Sequence, residues 1–318
     1  IYTMRDIRIA SSACLLGHNV RFDGQSKLSR FLFTDLSEFV QLIPFCPEVE
    51  MGLGTPRATL RLVESGSGTR LVQPKTGRDL TEDMHRYAQS KIQEMASWDL
   101  SGLVVKRSSP SCGMERVKLY DQNGVPKREA QGLFTKLFME ANPLLPVEEE
   151  GRLNDMGLKE NFLERVFAYN RLKSLFSQDW SVGQLVRFHS QEKLLLLAHS
   201  TKHYRLLGRL VASAKQRGKD ELSQEYQSLF MAALVIKTTP GRHVNVLHHM
   251  AGYFKKDLST EEKIELNSLF DDLANSHVPL CVPLTLVRHY IRRFSLKYLA
   301  AQSYIEPCPK GLKLRVNV

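Results

Sequence analysis

Three cysteines lie where apolar segments of the sequence end, and thiols in such places can bind metal. Cys14, Cys46 and Cys112 each follow an apolar run, the last after a serine-rich turn. They are 32 and 66 positions apart and form no C-x-x-C pair, which disfavours zinc ribbons and thioredoxin-like redox sites. Thiolates also bind iron–sulfur clusters, and three protein ligands on a four-iron cube would leave one iron open to a substrate. The spacing therefore predicts a metal centre; the alternative is that the cysteines are only small buried apolar side chains.

The elements that must position these thiols are buried strands. Strands covered on both faces of a parallel sheet appear as continuous apolar runs, and ligands bind beyond their carboxyl ends. The runs 7–13, 41–46 and 102–106 have this character, so we expect the thiols to meet at one edge of a sheet. Turn-forming residues stand beside the thiols, which favours a built site over simple core packing: Gly17, Pro47, Pro110 and Gly113.

Strand-like and helix-like segments alternate through the first half, which predicts an α/β fold with a small, mainly parallel sheet flanked by helices. The predicted strands are 7–13, 41–46, 60–64, 70–73 and 102–106, with a hairpin turn at 64–69, and the predicted helices are 34–42, 80–97 and 131–141. Asn142-Pro143 stops the last helix. The segment 144–160 contains the acidic run Glu148-Glu149-Glu150 and has the composition of a linker. The first domain is therefore predicted to span 1–160.

From residue 161 onward the apolar residues recur at helical spacing, which predicts an all-α second domain over 161–318. The predicted helices are 181–199, 201–217, 221–236, 243–254, 260–274 and 283–301.

The net charge of +10 comes entirely from this second half. Residues 1–160 contain 21 Lys/Arg and 21 Asp/Glu, whereas residues 161–318 contain 23 and 13. Such asymmetry favours a neutral unit joined to a unit that meets a polyanion, with a solvated basic surface as the alternative.

The composition also indicates the cellular location of the protein. No apolar run approaches the roughly 20 residues that a membrane helix needs, and no signal peptide is visible. Five cysteines without paired spacing argue against a disulfide framework. We therefore expect a cytoplasmic protein without membrane association, and the sequence indicates no obligate protein partner.

Four segments of the first half, taken together, resemble the thiouracil desulfidase family. They are Cys14-Leu15-Leu16-Gly17, Val20-Arg21-Phe22-Asp23-Gly24, the segment from Cys46-Pro47-Glu48 to Arg57, and the segment from Lys106 to Cys112-Gly113. The resemblance implies that Cys14, Cys46 and Cys112 hold a [4Fe-4S] cluster whose fourth iron takes the sulfur of a thiolated uracil base. It also implies catalytic roles for Glu48, after the second cysteine, and Ser109, before the third.

Elementary chemistry agrees with this resemblance. A thiocarbonyl sulfur is soft and prefers iron to oxygen ligands, and coordination withdraws electrons from its carbon. Glu48 would accept a proton from the water that attacks this carbon, with Glu50 as the less favoured base. Ser109 would hydrogen-bond the substrate, or serve only as a turn residue. Three basic residues are either substrate-side donors or salt-bridge partners: Arg21, Arg57 and Lys106.

The second half resembles a helical domain of unassigned role that is found fused to such desulfidase domains. On a helix, Lys202, Arg205 and Arg209 share one face. Basic clusters with tyrosines nearby suit an RNA backbone and an unpaired base. The residues predicted to bind RNA are Lys202, Arg205, Arg209, Arg242, Lys255, Lys256, Arg292 and Arg293.

These observations lead to one hypothesis and two rivals. The hypothesis is a two-domain desulfidase that converts 4-thiouridine in tRNA to uridine, in which the helical domain holds the RNA. The first rival is a desulfidase of free thiouracils or thionucleosides. The second is an RNA-associated iron–sulfur sensor without turnover.

Overall fold

The chain folds into two compact units. The computed structural model describes residues 7–66, 68–177 and 179–316. The first unit comprises residues 1–155 and the second residues 156–318. A helix begins at Met156, so the boundary predicted at 160 falls inside the first turns of that helix.

A four-stranded parallel sheet forms the centre of the first unit. Its strands are β1 (Arg8–Ser12), β2 (Gln41–Phe45), β6 (Leu100–Val105) and β9 (Val147–Glu149), in the order β2-β1-β6-β9. All three pairings are parallel, and every residue of β6 is buried, as its continuous apolar run predicts. Pro44 is tolerated in β2 because that strand lies at the edge of the sheet. The predicted mainly parallel sheet is confirmed.

A second sheet of five strands lies in the same unit, and only part of it was predictable. Its strands are β3 (Arg61–Ser65), β4 (Gly68–Gln73), β5 (Arg78–Asp79), β7 (Val117–Tyr120) and β8 (Pro126–Ala130), in the order β5-β4-β3-β7-β8. The predicted hairpin is the antiparallel pair β3–β4. β5 and β8 are largely exposed, and β7 has only four residues, so none of these three strands gives a long apolar alternation in the sequence.

The described part of the first unit also contains three α-helices: α1 (Pro47–Glu50), α2 (Thr81–Ala96) and α3 (Leu133–Ala141). The last two match predicted helices. The helix predicted over 34–42 is wrong: a π-helical segment covers Phe31–Leu36, and residues 41 and 42 already belong to β2. Aromatic and aliphatic side chains from α3, β2 and β6 meet in the core, among them Phe134, Phe45 and Leu103.

Two residues of the acidic run lie in a buried strand. Glu148 and Glu149 lie in β9 and are each 2% exposed. Arg152 Nε donates to Glu148 Oε1 at 2.6 Å, and the backbone N–H of Met114 donates to Glu149 Oε1 at 2.7 Å. A run of charges usually indicates a solvated segment, but here each carboxylate has a partner that offsets its burial.

The second unit is helical, as predicted. Its helices are α4 (Met156–Phe176), α5 (Val182–His199), α6 (Thr201–Ala212), α7 (Lys219–Val235), α8 (Pro240–Ala251), α9 (Thr260–Ala274), α10 (Cys281–Arg293) and α11 (Lys297–Ala300). Ser181 and Ser259 form capping boxes at the starts of α5 and α9. None of the helices among the described residues combines the length and apolar character that a membrane span requires.

Charged side chains cross the core of this helical unit. Glu164 of α4 accepts a hydrogen bond from Arg315 Nη2 at 2.7 Å and lies 3.2 Å from His199 Nε2. All three residues are buried. The C-terminal segment that contains Arg315 is thereby bound to the helical core.

Candidate metal centre

The three predicted ligands line one cavity. The carboxyl ends of the neighbouring strands β2, β1 and β6 open into a space of about 290 Å³ whose wall includes Cys14, Cys46 and Cys112. Its other charged lining residues are Arg21, Glu48, Arg57, Lys106 and Arg107. Thiols that are far apart in the sequence thus meet at one edge of the parallel sheet, as the apolar runs predict. Their role as ligands stays a prediction.

Cys14 is positioned by the turn that ends β1. It lies in a 3₁₀ helix, Ala13–Leu16, which Gly17 closes with a φ of 93°. Only glycine adopts this left-handed conformation without steric cost. Burial raises the pKa of the Cys14 thiol to about 11, while Lys106 and Arg21 act in the opposite direction.

Cys46 is positioned by the start of α1. It is the N-cap residue, and Pro47 occupies the first helical position, where its missing N–H has no cost. The Cys46 N–H donates to Glu50 Oε1 at 2.8 Å. Tyr87 Oη donates to the other oxygen of Glu50 at 2.9 Å, and Lys91 Nζ lies 3.0 Å from it. Glu50, the less favoured candidate base, therefore holds the backbone of Cys46.

Cys112 is positioned by a tight loop after β6. Its N–H donates to Ser109 Oγ at 3.1 Å, and its carbonyl accepts a hydrogen bond from Thr135 Oγ1 at 2.6 Å. Gly132 lies against this loop: a β-carbon added there would stand 2.6 Å from Gly113 N and 2.7 Å from Ser111 O. Real β-carbons essentially never come so close to backbone atoms. Thr135 and Gly132 are positioning residues that the sequence analysis did not identify.

The electrostatics of the cavity suit a bound cation. Burial raises the pKa of Cys14, of Cys46 and, most strongly, of Cys112. The thiols also raise one another's pKa, because three thiolates in one cavity repel. A soft metal centre would compensate this repulsion and draw the thiols into their thiolate form.

The donor set fits a cluster of several irons better than a single ion. Within the described ranges, no three or more His, Cys, Asp or Glu side chains are arranged to hold one metal ion. A multi-iron cluster is held by thiolates bound to different irons, so its ligands need not converge on one point. Three thiols that line one cavity, two of them buried and that of Cys46 half-buried, therefore fit the predicted cluster.

Glu48 also faces the cavity, and both of its oxygens are engaged. Arg57 donates to Oε2 through Nε at 2.8 Å and through Nη2 at 2.5 Å. Ser111 Oγ donates to Oε1 at 2.9 Å. Oε1 keeps a lone pair for another donor, since each carboxylate oxygen has two. The carboxylate is therefore fixed in orientation with one oxygen available to the cavity.

Two serines of the loop before Cys112, Ser109 and Ser111, make different contacts. Ser109 lies on the cavity wall, and its Oγ accepts hydrogen bonds from the N–H groups of Ser111 and Cys112. These bonds are those of a turn residue, which was the alternative for Ser109; its contact with the substrate stays a prediction. Ser111 holds Glu48 and was not identified, because the pattern Ser-Ser-Pro-Ser does not tell which hydroxyl meets the carboxylate.

The three basic candidates of this unit line the cavity with internal partners. Arg57 binds Glu48, and Lys106 Nζ binds Glu150. Arg21 lies 3.4 Å from Asp23 and packs over Phe22. Arg21 is therefore the most available of the three for an incoming group.

The predicted RNA-binding residues divide into exposed and engaged ones. Arg242 Nη1 donates to the carbonyls of His199 at 2.8 Å and Lys237 at 2.9 Å, so this side chain stabilises the fold. Arg293 pairs with Glu262. The other six are exposed and have no ion pair with a described residue: Lys202, Arg205, Arg209, Lys255, Lys256 and Arg292.

Comparisons with known proteins match both halves of the chain. Residues 9–150 match the family model of 2-thiouracil desulfurase, and residues 193–309 match that of DUF1722, a protein of unknown function. The uncharacterized protein YbgA of Escherichia coli strain K12 is 32% identical over 164 residues, which cover 51% of this chain and 97% of YbgA. The uncharacterized protein YbbK of Bacillus subtilis strain 168 is 27% identical over 110 residues, or 33% of this chain and 72% of YbbK.

A solved structure is also similar in sequence. The [4Fe-4S]-dependent thiouracil desulfidase TudS is 32% identical; the match covers 48% of this chain and 97% of TudS, with a TM-score of 0.39. The family models over residues 9–150 and 193–309 and the near-complete coverage of YbgA give the family assignment. The chain belongs to the 2-thiouracil desulfurase family, and its second half carries a DUF1722 domain.

Proposed function

We propose that this protein is a desulfidase that converts 4-thiouridine in tRNA to uridine, with a [4Fe-4S] cluster held by Cys14, Cys46 and Cys112. The observation that carries the proposal is the cavity whose wall holds three thiols and an oriented carboxylate. Family membership supports the reaction, and the [4Fe-4S] dependence of TudS supports the cofactor.

The reaction replaces sulfur by oxygen without redox chemistry. When bound, a cluster with one iron free of protein ligands supplies a soft Lewis acid for the thiocarbonyl sulfur. Water supplies the oxygen, the carbon–sulfur double bond is replaced by a carbonyl, and sulfur leaves as sulfide. One proton of the water passes to a base and the other leaves with the sulfur as hydrosulfide; carbon and sulfur keep their oxidation states, so no electron donor is required.

Glu48 accepts the first of these protons. Its Oε1 is the oxygen with a free lone pair, because Arg57 occupies Oε2 with two N–H groups. Arg57 and Ser111 hold the carboxylate, so little reorganisation accompanies proton transfer. Arg21, on the same cavity wall, donates a hydrogen bond to the remaining carbonyl oxygen of the thiolated base.

The helical unit holds the RNA. It carries the whole excess of positive charge, and six of its predicted contact residues are exposed without internal ion pairs among the described residues. Phosphate contacts by such side chains supply affinity that falls steeply with salt. A thiolated base within a folded RNA must leave its stack to reach a cavity, at a cost that such contacts offset.

The test uses full-length protein reconstituted without oxygen and tRNA that contains 4-thiouridine. We expect loss of the thiolated base's absorbance and release of one sulfide per uridine formed. Cys112→Ser should lose iron and turnover together. Thiolated tRNA that stays unchanged in the presence of fully loaded protein would reject the reaction.

Action on free thiouracils or thionucleosides is the second candidate, because every residue that lines the cavity lies in the first unit. The variant Lys202→Glu/Arg205→Glu separates the two. It should slow turnover of thiolated tRNA and leave turnover of free 4-thiouridine unchanged. Equal effects on the two substrates would favour the second candidate.

A further inference from the structure

The helical unit contains a basic cavity that the proposed reaction does not use. Its volume is about 190 Å³, and it lies between α10 and the C-terminal segment that follows residue 305. Four basic side chains line it, against one carboxylate, that of Glu306: Arg288, Lys310, Lys313 and Arg315. Lys310 Nζ lies 3.7 Å from Glu306, and both side chains are largely exposed, so this pair is weak.

Arg288 lacks the partner that a half-buried guanidinium needs. Its Nη2 donates to the carbonyl of Ile305, but its Nε is buried and has no hydrogen-bond partner. No carboxylate among the described residues forms an ion pair with it. A buried donor without an acceptor costs free energy, and here the donor also carries charge.

Arg315 shows the same deficit at the other side of the cavity. This side chain is 6% exposed, and its Nη2 binds Glu164 at 2.7 Å. Its Nε is buried without a hydrogen bond, since the Glu160 carboxylate oxygen lies 3.6 Å away. Two buried guanidinium donors therefore remain unused around one cavity.

Burial and two neighbouring guanidinium groups disfavour the charge of Arg288. Burial lowers its pKa, and Arg315 and Arg292 lower it further, whereas Glu306 acts in the opposite direction. The Cys308 thiol on the wall supplies no negative charge, because burial raises its pKa. Arg315 is already paired with Glu164, so an anion with several acceptor oxygens in the cavity would chiefly compensate the charge of Arg288.

Backbone strain at the wall supports a binding role. Lys313 and Arg315 have φ values of 52° and 65°, in the left-handed region that non-glycine residues rarely adopt. Such strain persists where the surrounding structure requires it and is concentrated at ligand sites. The strained segment places the side chains of Lys313 and Arg315 on the wall of the same cavity.

We propose that this cavity binds a phosphoryl group through Arg288 and Lys313, with Arg315 and Lys310 completing the positive wall. A tetrahedral phosphate offers acceptor oxygens in several directions, which matches donors that approach from both sides of the cavity. The group is either free inorganic phosphate or a phosphate of the bound RNA. The site belongs to the helical unit and is independent of the thiol-lined cavity.

The test is calorimetric titration of the full chain with inorganic phosphate at constant ionic strength. We expect one phosphate per chain, with binding weakened about tenfold or more in Arg288→Gln and in Lys313→Gln, since each variant removes a charge-assisted contact. Lys263→Gln is the matched control, because it removes an equal charge from an exposed position that neither lines the cavity nor belongs to the predicted RNA contacts. Lys313 is exposed, so its variant remains informative if Arg288→Gln does not fold.

A second measurement identifies the source of the phosphate. If the group belongs to RNA, phosphate should compete with unmodified tRNA for the protein, and Arg288→Gln should weaken tRNA binding. If it is a free anion, tRNA binding should be the same with and without phosphate. The proposal is overturned if phosphate does not bind, or if it binds equally to the wild type, Arg288→Gln and Lys313→Gln.

Discussion

Replacing Glu48 by glutamine tests the proton transfer directly, because the change preserves the shape of the side chain and removes its charge and its ability to accept a proton. In the folded protein Oε2 receives two N–H bonds from Arg57 and Oε1 receives one O–H bond from Ser111. A glutamine side chain keeps one acceptor oxygen, and the Ser111 hydroxyl can rotate to accept from the new amide. The orientation of the side chain is therefore expected to survive.

The size of the effect follows from these contacts. A positioned general base contributes roughly a hundredfold to ten-thousandfold in rate, so we expect Glu48→Gln to lower kcat by a factor in that range. Arg57 loses a charged acceptor, which should cost about 2 kcal/mol of folding stability. Glu48 holds no backbone atom of the three cysteines, so iron and sulfide content should remain at the wild-type level.

The assay compares anaerobically reconstituted wild type, Glu48→Gln and Glu50→Gln for iron content and for turnover of thiolated RNA. Glu50→Gln is the matched control: it makes the same chemical change two residues away, at the carboxylate that holds Cys46 N–H. It should retain turnover, since an amide oxygen can still accept that bond. Wild-type turnover in Glu48→Gln at wild-type iron content, or a larger loss in Glu50→Gln, would refute the assignment of the base.

Three further predictions concern the structure that supports the sites. Gly132→Ala should lower iron content and stability, because its β-carbon would stand 2.6 Å from Gly113 N, whereas Gly208→Ala, where an added β-carbon meets nothing within 4 Å, should change neither. Glu164→Gln should destabilise the helical unit by about 3 kcal/mol, measured by denaturant unfolding, because it breaks a buried ion pair with Arg315; unchanged stability would contradict this. Burial lowers the pKa of His189 to about 4 and that of His243 to about 3, from 6.5 when unfolded. Both stay neutral in the folded state and take up protons on unfolding, so the thermal midpoint should fall as pH decreases from about 6.5 towards 4. A midpoint that stays constant over this range would contradict the lowered pKa values of the two histidines.

The meeting of Cys14, Cys46 and Cys112 was predictable because each follows a continuous apolar run, and such runs form adjacent parallel strands that end at the same edge. What the pattern could not reveal is which polar residues hold the thiols in place. Gly132 and Thr135 act through close backbone approach and a single hydroxyl, and neither leaves a periodic signal.

The pattern of charged residues in the sequence was the least dependable guide to which side chains are exposed to solvent. Glu149 stands in an acidic run of the kind that usually indicates a solvated linker, yet it is a strand residue that binds the backbone N–H of Met114 and Glu115. Arg242, which is predicted to contact RNA, donates to two carbonyls of its own unit. In both cases a long-range partner decides the environment, and single-sequence patterns record only local spacing.

The distribution of the thiols over three separate strands determines the order of events during biogenesis. A zinc finger gathers its ligands from one short segment, so metal and fold can form together. Here residues almost a hundred positions apart must already be paired side by side before the last sulfur is in place. Parallel pairing over such separations is slow. An inorganic group bound by all three thiols would therefore reach its full set of ligands only after these strands have paired.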